Sequence, residues 1–164
     1  MTATIEIPSP VGPLTLAAQD GRLTGVRFAG RADADAGGDP TLAACARQLE
    51  EYFSGTRHGF DLPLSLPAAP FDHKVLTAVA EIPFGERSTY GAVTRAVGLG
   101  PADARAVAAA IGRNPLPIVV PCHRVIGANG SLTGYGGGLA RKARLLALES
   151  GQLELGLPAS PAFA

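Results

Sequence analysis

The sequence predicts an α+β protein in two parts, and three observations carry that expectation. Residues 3–29 alternate apolar and polar side chains at strand period. Residues 71–149 instead read as short helices punctuated by Gly and Pro. Between the halves, "PAAP" at 67–70 has the composition of a linker. The expected division is an N-terminal domain over 1–66, the linker 67–70, a second domain over 71–150 and a tail over 151–164.

The elements follow in order. "ATIEI" and "PLTLAA" are strands, "AQDGRL" turns the chain, and "LTGVRF" resumes the sheet. A polar loop over 30–40 follows. "TLAACARQLEEYFSG" is a helix with Leu42, Cys45, Leu49 and Tyr52 or Phe53 on one face and Gly55 at its end. "FDLPLSL" reads as an edge strand. In the second half, "FDHKVLTAVAEI" is helical up to Pro83. "STYGAVTRAVG" begins with hydroxyl caps and ends at Gly98. "GPADARAVAAAIG" has Pro101 in its first turn and closes on Gly112. These two helices, joined by a short Gly-containing turn, outline a helix-turn-helix. "IVV" at 118–120 reads as a short strand, then comes "PCHR", a glycine-rich loop, and a last helix "LARKARLLALESG". The tail from Gln152 shows no pattern.

Composition sets the limits. With 46% hydrophobic residues but 5% aromatics and no Trp, the core must rest on Leu, Val, Ile and Ala. The formal charge is zero, yet residues 1–69 balance to −3 and residues 70–150 to +4, so the second half is the one suited to a polyanion. The N-terminus lacks the basic-then-apolar pattern of a signal peptide, and no apolar run approaches membrane-spanning length. The expectation is a cytoplasmic protein with reduced thiols, no membrane contact and no metal: Cys45 and Cys122 stand far apart and form no zinc-spaced cluster.

Few residues can carry chemistry. Cys45 lies on the apolar face of its helix and reads as core. Cys122 opens a turn after Pro121, beside His123 and Arg124, where cationic neighbours would favour a thiolate. On local sequence alone it is a buried filler or a nucleophile. His123 would face away from the sulfur in a strand and could meet it in a turn. Glu149 ends the last helix, where the dipole disfavours an acid, so it faces solvent or has a compensating partner. Arg105 projects from an Ala-rich helix. Asn114 precedes Pro115 in a turn. Tyr90 reads as a packed aromatic, and Tyr135 sits among glycines that allow a flap.

Taken together, "PVGPLTLAA", "IPFGERSTYGAV" and "ARAVAAAIGRNPLPIVVPCHRVIGANGSLTGYGGGLARKARLLALE" resemble the O6-alkylguanine-DNA alkyltransferases, clearly over about residues 70–150 and more loosely before them. The resemblance implies a ribonuclease H-like sheet-plus-helix N-terminal domain and a winged-helix-like C-terminal domain with a helix-turn-helix. It implies repair of O6-alkylguanine, and of O4-alkylthymine, by irreversible transfer of the alkyl group to Cys122 in one turnover. His123 would activate Cys122 through a bridging water, with Glu149 polarising His123. Asn114 would hold the active-site turn. Tyr90 would rotate the target phosphate and donate a proton to the leaving guanine. Arg105 would fill the space of the flipped base, with Ala104, Ala106 and Arg113 also at the DNA. Val120, Tyr135, Gly136 and Gly137 would line the base pocket.

The implied partner is double-stranded DNA carrying alkylated guanine, bound through the minor groove with little sequence specificity by a monomer. No cofactor is implied. Three departures stand out. Leu76 replaces a Trp of many relatives, Gly136 replaces a hydroxyl residue of some, and the zinc ligands of some N-terminal domains are missing. A lesion-binding relative without catalysis is the alternative, and Cys122 speaks against it. A transcription-factor module would leave "PCHRV" idle, and a Cys-His hydrolase would not need Arg105 on an Ala-rich helix.

Overall fold

The computed structural model describes residues 2–28, 30 and 38–151. Most of the polar loop expected over 30–40, and the tail from Gln152, lie outside the described residues. The chain divides into two compact units, one reaching to Ser65 and one spanning Leu66–Ser150.

The first unit is a three-stranded antiparallel sheet, β1 (Ala3–Ile7), β2 (Leu14–Gln19) and β3 (Arg22–Arg27), in the order β1-β2-β3. The register pairs Ala3 with Ala18 and Ile7 with Leu14. Asp20 and Gly21, with φ of 53° and 76°, make the two-residue turn from β2 to β3. Both positions need a positive φ, which Asp tolerates and Gly adopts freely, so "DG" fixes this hairpin. Leu14, Leu16 and Ala18 of the central strand are buried.

Helix α1 (Pro40–Phe53) buries Leu42, Cys45, Leu49, Tyr52 and Phe53. Asp39 caps it, its carboxylate accepting from the amides of Thr41 and Leu42. The segment expected as an edge strand at 60–66 makes only one bridge, Leu64 to Leu23, with Leu23 also donating to Pro63. Pro63 has no N–H to extend a ladder, which is why no strand forms.

The second unit holds α2 (Pro70–Ala80), α3 (Tyr90–Ala96) and α4 (Ala104–Gly112), with α2 against both of the others. Its core includes Val75, Leu76, Val79, Val93, Val107, Ala110 and Ile111. Helix α3 starts at Thr89, whose hydroxyl accepts from the amide of Ala92. After Gly98 at φ 81°, one 3-10 turn at Pro101–Asp103 leads into α4, completing the helix-turn-helix.

The strand expected at 118–120 is absent. Ile118 takes φ 74° and the stretch coils, because Pro117 and Pro121 remove the amides a ladder needs. The strand instead follows the cysteine. Cys122–Arg124 form one 3-10 turn, and β5 (Val125–Ile126) pairs in parallel with β4 (Ser88–Thr89). Helix α5 (Leu139–Glu149) closes the unit and buries Lys142, Leu145, Leu146 and Glu149. Among the described residues no helix is long and apolar enough to cross a membrane.

Candidate active site

Cys122 sits in the 3-10 turn with its neighbours His123 and Arg124, and all three are buried. The turn is braced by Asn114, just past the end of α4. Its Oδ1 accepts from the amide of Leu116 at 2.9 Å, and its Nδ2 donates to the carbonyl of Val120 at 2.9 Å. That carbonyl also accepts from the amide of Cys122 at 2.8 Å. One oxygen therefore ties the Asn114 side chain to the cysteine backbone.

The acid at the end of α5 has the compensating partners its position demands. Glu149 is 7% exposed, and its Oε2 lies 2.6 Å from His123 Nε2. Arg124 grips the same carboxylate with a fork, Nε to Oε1 at 2.7 Å and Nη2 to Oε2 at 2.9 Å. The third guanidinium nitrogen donates to the Ile82 carbonyl at 2.6 Å, and the group lies 5.8 Å from the Phe84 ring centre. Of the two readings open for Glu149, solvent exposure and a compensating partner, the structure takes the second: the acid is buried and doubly engaged.

Burial lowers the His123 pKa below its ordinary value, against the opposing pull of Glu149, so the ring is neutral at neutral pH. With Nε2–H donating to Glu149, Nδ1 is the acceptor. Nδ1 is buried and has no hydrogen-bond partner in the structure. A base on the residue next to Cys122 is therefore poised to accept a proton. Cys122 needs one, because burial raises its pKa, a rise moderated by Asn114 and Lys142. Cys45 has no such neighbours: burial alone pushes its thiol up to about 12, as fits a core residue.

Lys142, fully buried, completes the surroundings. Its Nζ donates to the carbonyls of Val125 at 2.6 Å and Thr133 at 2.9 Å and lies 5.9 Å from the Tyr90 ring centre. Tyr90 donates its hydroxyl to the same Thr133 carbonyl at 2.9 Å. The loop that begins there carries Tyr135, whose pKa is raised by burial and then by Cys122. The loop's far end is held by Arg141 donating to Gly137. Both phenols and the Lys142 ammonium thus feel a charge at Cys122, and Lys142 in turn acts on the thiol.

The structure joins Asn114, Val120 and Cys122 in one hydrogen-bonded set and His123, Arg124 and Glu149 in another, the two linked through the Cys122–His123 peptide bond. Tyr90 and Tyr135 lie in electrostatic reach of Cys122. Gly136 and Gly137 belong to the adjoining loop. Arg105 and Ala106 lie apart, exposed on α4, with Ala104 half-buried beside them. Arg113 is bound elsewhere, to Asp72. Sequence reasoning gave Lys142 no role and read Arg124 as a cation favouring a thiolate at Cys122; the structure instead commits Arg124 to Glu149, and burial raises the thiol's pKa. For Lys142 the signal was present: Lys142, Leu145, Leu146 and Glu149 share one helical face, so two charges stand on a buried stripe.

A thiol with an acid-supported histidine, built behind a helix-turn-helix, defines a class: proteins that set a nucleophilic cysteine beside a DNA-binding surface. Comparison with known proteins narrows it. The family model for the 6-O-methylguanine DNA methyltransferase ribonuclease-like domain matches residues 4–66, and the model for the DNA-binding domain of the same family matches 70–151. The chain belongs to the 6-O-methylguanine DNA methyltransferase family, and its α+β architecture is that of the family.

It is 46% identical over 148 residues to a methylated-DNA–protein-cysteine methyltransferase of Mycolicibacterium paratuberculosis, covering 87% of this chain and 89% of the relative. It is 51% identical over 111 residues to the constitutive methylated-DNA–protein-cysteine methyltransferase of Bacillus subtilis, covering 67% of each. Among solved structures it resembles the Mycobacterium tuberculosis O6-methylguanine methyltransferase with TM-score 0.81 and 42% identity, over 94% of this chain and 96% of that one. The M. tuberculosis OGT in complex with DNA matches with TM-score 0.79 and 40% identity over 96% of each chain.

Proposed function

We propose that this chain repairs O6-alkylguanine, and O4-alkylthymine, in duplex DNA by taking the alkyl group irreversibly onto Cys122. The observation that carries the reading is the buried His123, the residue after Cys122 in the chain, donating through Nε2 to Glu149 and leaving Nδ1 as an unpartnered acceptor.

The chemistry balances. The thiol proton passes to His123 Nδ1 through a water, and Sγ attacks the alkyl carbon. The carbon–oxygen bond breaks, its electron pair stays on the base, the base takes a proton from Tyr90, and the proton held on His123 returns through water to the Tyr90 phenolate, so guanine leaves neutral and both side chains are restored. Tyr90 now donates to Thr133, so that contact opens when the base enters. The product is a thioether, which has no return path, so each molecule acts once. No cofactor takes part.

The alkylated oxygen of a stacked guanine is out of reach of a side chain, so the nucleotide leaves the stack. Exposed Arg105, flanked by Ala104 and Ala106, fills the space in the duplex; small neighbours let α4 approach a minor groove. Val120, Tyr135, Gly136 and Gly137 surround the extruded base. Binding rests mainly on phosphates, with little sequence specificity, and the protein acts as a monomer. Arg113 is assigned differently, on its ion pair.

The test is stoichiometry. Duplex DNA with one O6-methylguanine should be repaired mole for mole with protein, without turnover beyond that amount. Continued turnover, or an intact lesion, would contradict the proposal.

A further inference from the structure

Arg113 caps the C-terminal end of α4 and reaches across to the first turn of α2. Its Nε donates to Asp72 Oδ2 and its Nη2 to Asp72 Oδ1, each at 2.8 Å. This is the two-pronged geometry that favours arginine over lysine. The Asp72 side chain is only 11% exposed, against 56% for Arg113. The guanidinium first, through its hydrogen bond, holds the Asp72 carboxyl below its ordinary range.

The next residue along the chain is Asn114, whose side chain braces Leu116 and the Val120 carbonyl that receives the Cys122 amide. A short path therefore runs from α2 through Arg113 and Asn114 to the backbone of the acceptor cysteine. Asp72 takes the Nε proton and one Nη2 proton, which leaves a phosphate only the outer N–H groups of a guanidinium whose charge is already paired. While the pair holds, the two charges cancel, and α4 gains little positive potential from Arg113.

We propose that Arg113 is a positioning residue for alkyl transfer: its clamp on Asp72 fixes the end of α4 and thereby the Asn114 brace that sets Cys122. The proposal rests on the reading of Cys122 as the alkyl acceptor. It deepens that reading by moving Arg113 from the DNA surface to the support of the nucleophile.

The experiment compares the intact protein with Asp72→Asn, Arg113→Gln and the exchanged pair Asp72→Arg with Arg113→Asp. Single-turnover transfer from duplex DNA with one O6-methylguanine gives the saturating rate constant, and a salt series gives Kd. Both single variants should lower the saturating rate by about tenfold, since small misplacements of reacting groups are costly. Kd and its salt dependence should stay near those of the parent, and the exchanged pair should recover part of the rate.

The opposite pattern overturns the proposal. In that pattern Arg113→Gln weakens binding and lowers the salt slope by about one, while Asp72→Asn tightens binding. Parental rates in both single variants overturn it equally. Asp72→Asn keeps the side-chain shape and so serves if Arg113→Gln fails to fold.

If the parent protein takes no methyl group, the acceptor reading fails instead. Amide exchange at Asn114 and Leu116 then reads the clamp by itself: faster exchange in both variants supports it, and unchanged exchange refutes it.

Discussion

Oε2 of Glu149 lies 2.6 Å from Nε2 of His123, and both side chains are sealed from solvent. Because Arg124 grips the same carboxylate, Glu149 is already balanced by a full positive charge. Its part toward His123 is to hold the ring and its tautomer, as a hydrogen-bond acceptor. Glu149→Gln leaves Arg124 buried without a counter-charge. The variant should lose about 3–5 kcal/mol in urea unfolding, the usual cost of breaking a buried pair. It should also transfer alkyl groups at least about 100-fold more slowly. A variant of parental rate would remove Glu149 from the chemistry.

The pH dependence follows from His123. Burial holds its folded pKa below the ordinary 6.5, so the unfolded chain takes up a proton there more readily than the folded one. Stability is therefore fully present above that pH and declines as pH falls toward the folded value. Protonation also removes Nδ1 as an acceptor. The melting temperature should begin to drop as pH falls below about 6.5, the transfer rate should hold until the lower pH at which the folded ring takes up its proton, and replacing His123 by Asn should flatten the stability profile. Matching profiles in the two proteins would assign the effect to another group.

Arg105 tests the DNA surface. It is exposed and has no resolved structural task, so Arg105→Ala should leave the melting temperature within about 0.5 kcal/mol equivalent of the parent. If it fills the duplex in place of the flipped base, the variant should slow transfer from duplex more than transfer from single-stranded DNA. Equal slowing on both would make it an ordinary phosphate contact.

The loop after β5 is crowded at Gly127. A Cβ on Gly127 would stand 2.7 Å from Ser131 Oγ and 3.2 Å from the Ser131 carbonyl, while the Gly127 amide donates to that same carbonyl. Gly127→Ala should open this turn, costing about 1–3 kcal/mol, and should speed amide exchange at Gly127 and Gly130. Unchanged exchange would mean that the Ser131 side chain simply rotates away.

Much of this was legible in the sequence, and the exceptions have physical causes. Alternation found β1 to β3, and "DG" located their turn. The hydroxyl before Tyr90, Pro101 and Gly98 marked the ends of the helix-turn-helix. The run "IVV" misled because three β-branched or apolar residues suggest a strand, whereas the prolines on either side withhold the needed amides. "FDLPLSL" failed for the same reason at Pro63.

In the site, residues with an evident chemical type were visible: a thiol, its histidine, an acid misplaced at a helix end. The grip of Arg124 on Glu149 was not, because sequence alone does not show that a charge in a turn is buried, whereas Lys142 could have been read from the apolar stripe it shares with Leu145, Leu146 and Glu149. Asp72 and Arg113 stand far apart in the chain, and only the packing of α2 on α4 brings them together.

The most direct test of the account is the mass of the intact protein after mixing with duplex DNA that carries one O6-methylguanine, with Cys122→Ala alongside. The expected result is a gain of one methyl group, located by peptide mapping on Cys122 and absent from the variant. Binding of the lesion without any gain in mass, or a methyl group found on Cys45, would contradict the central claim that Cys122 is a single-use acceptor.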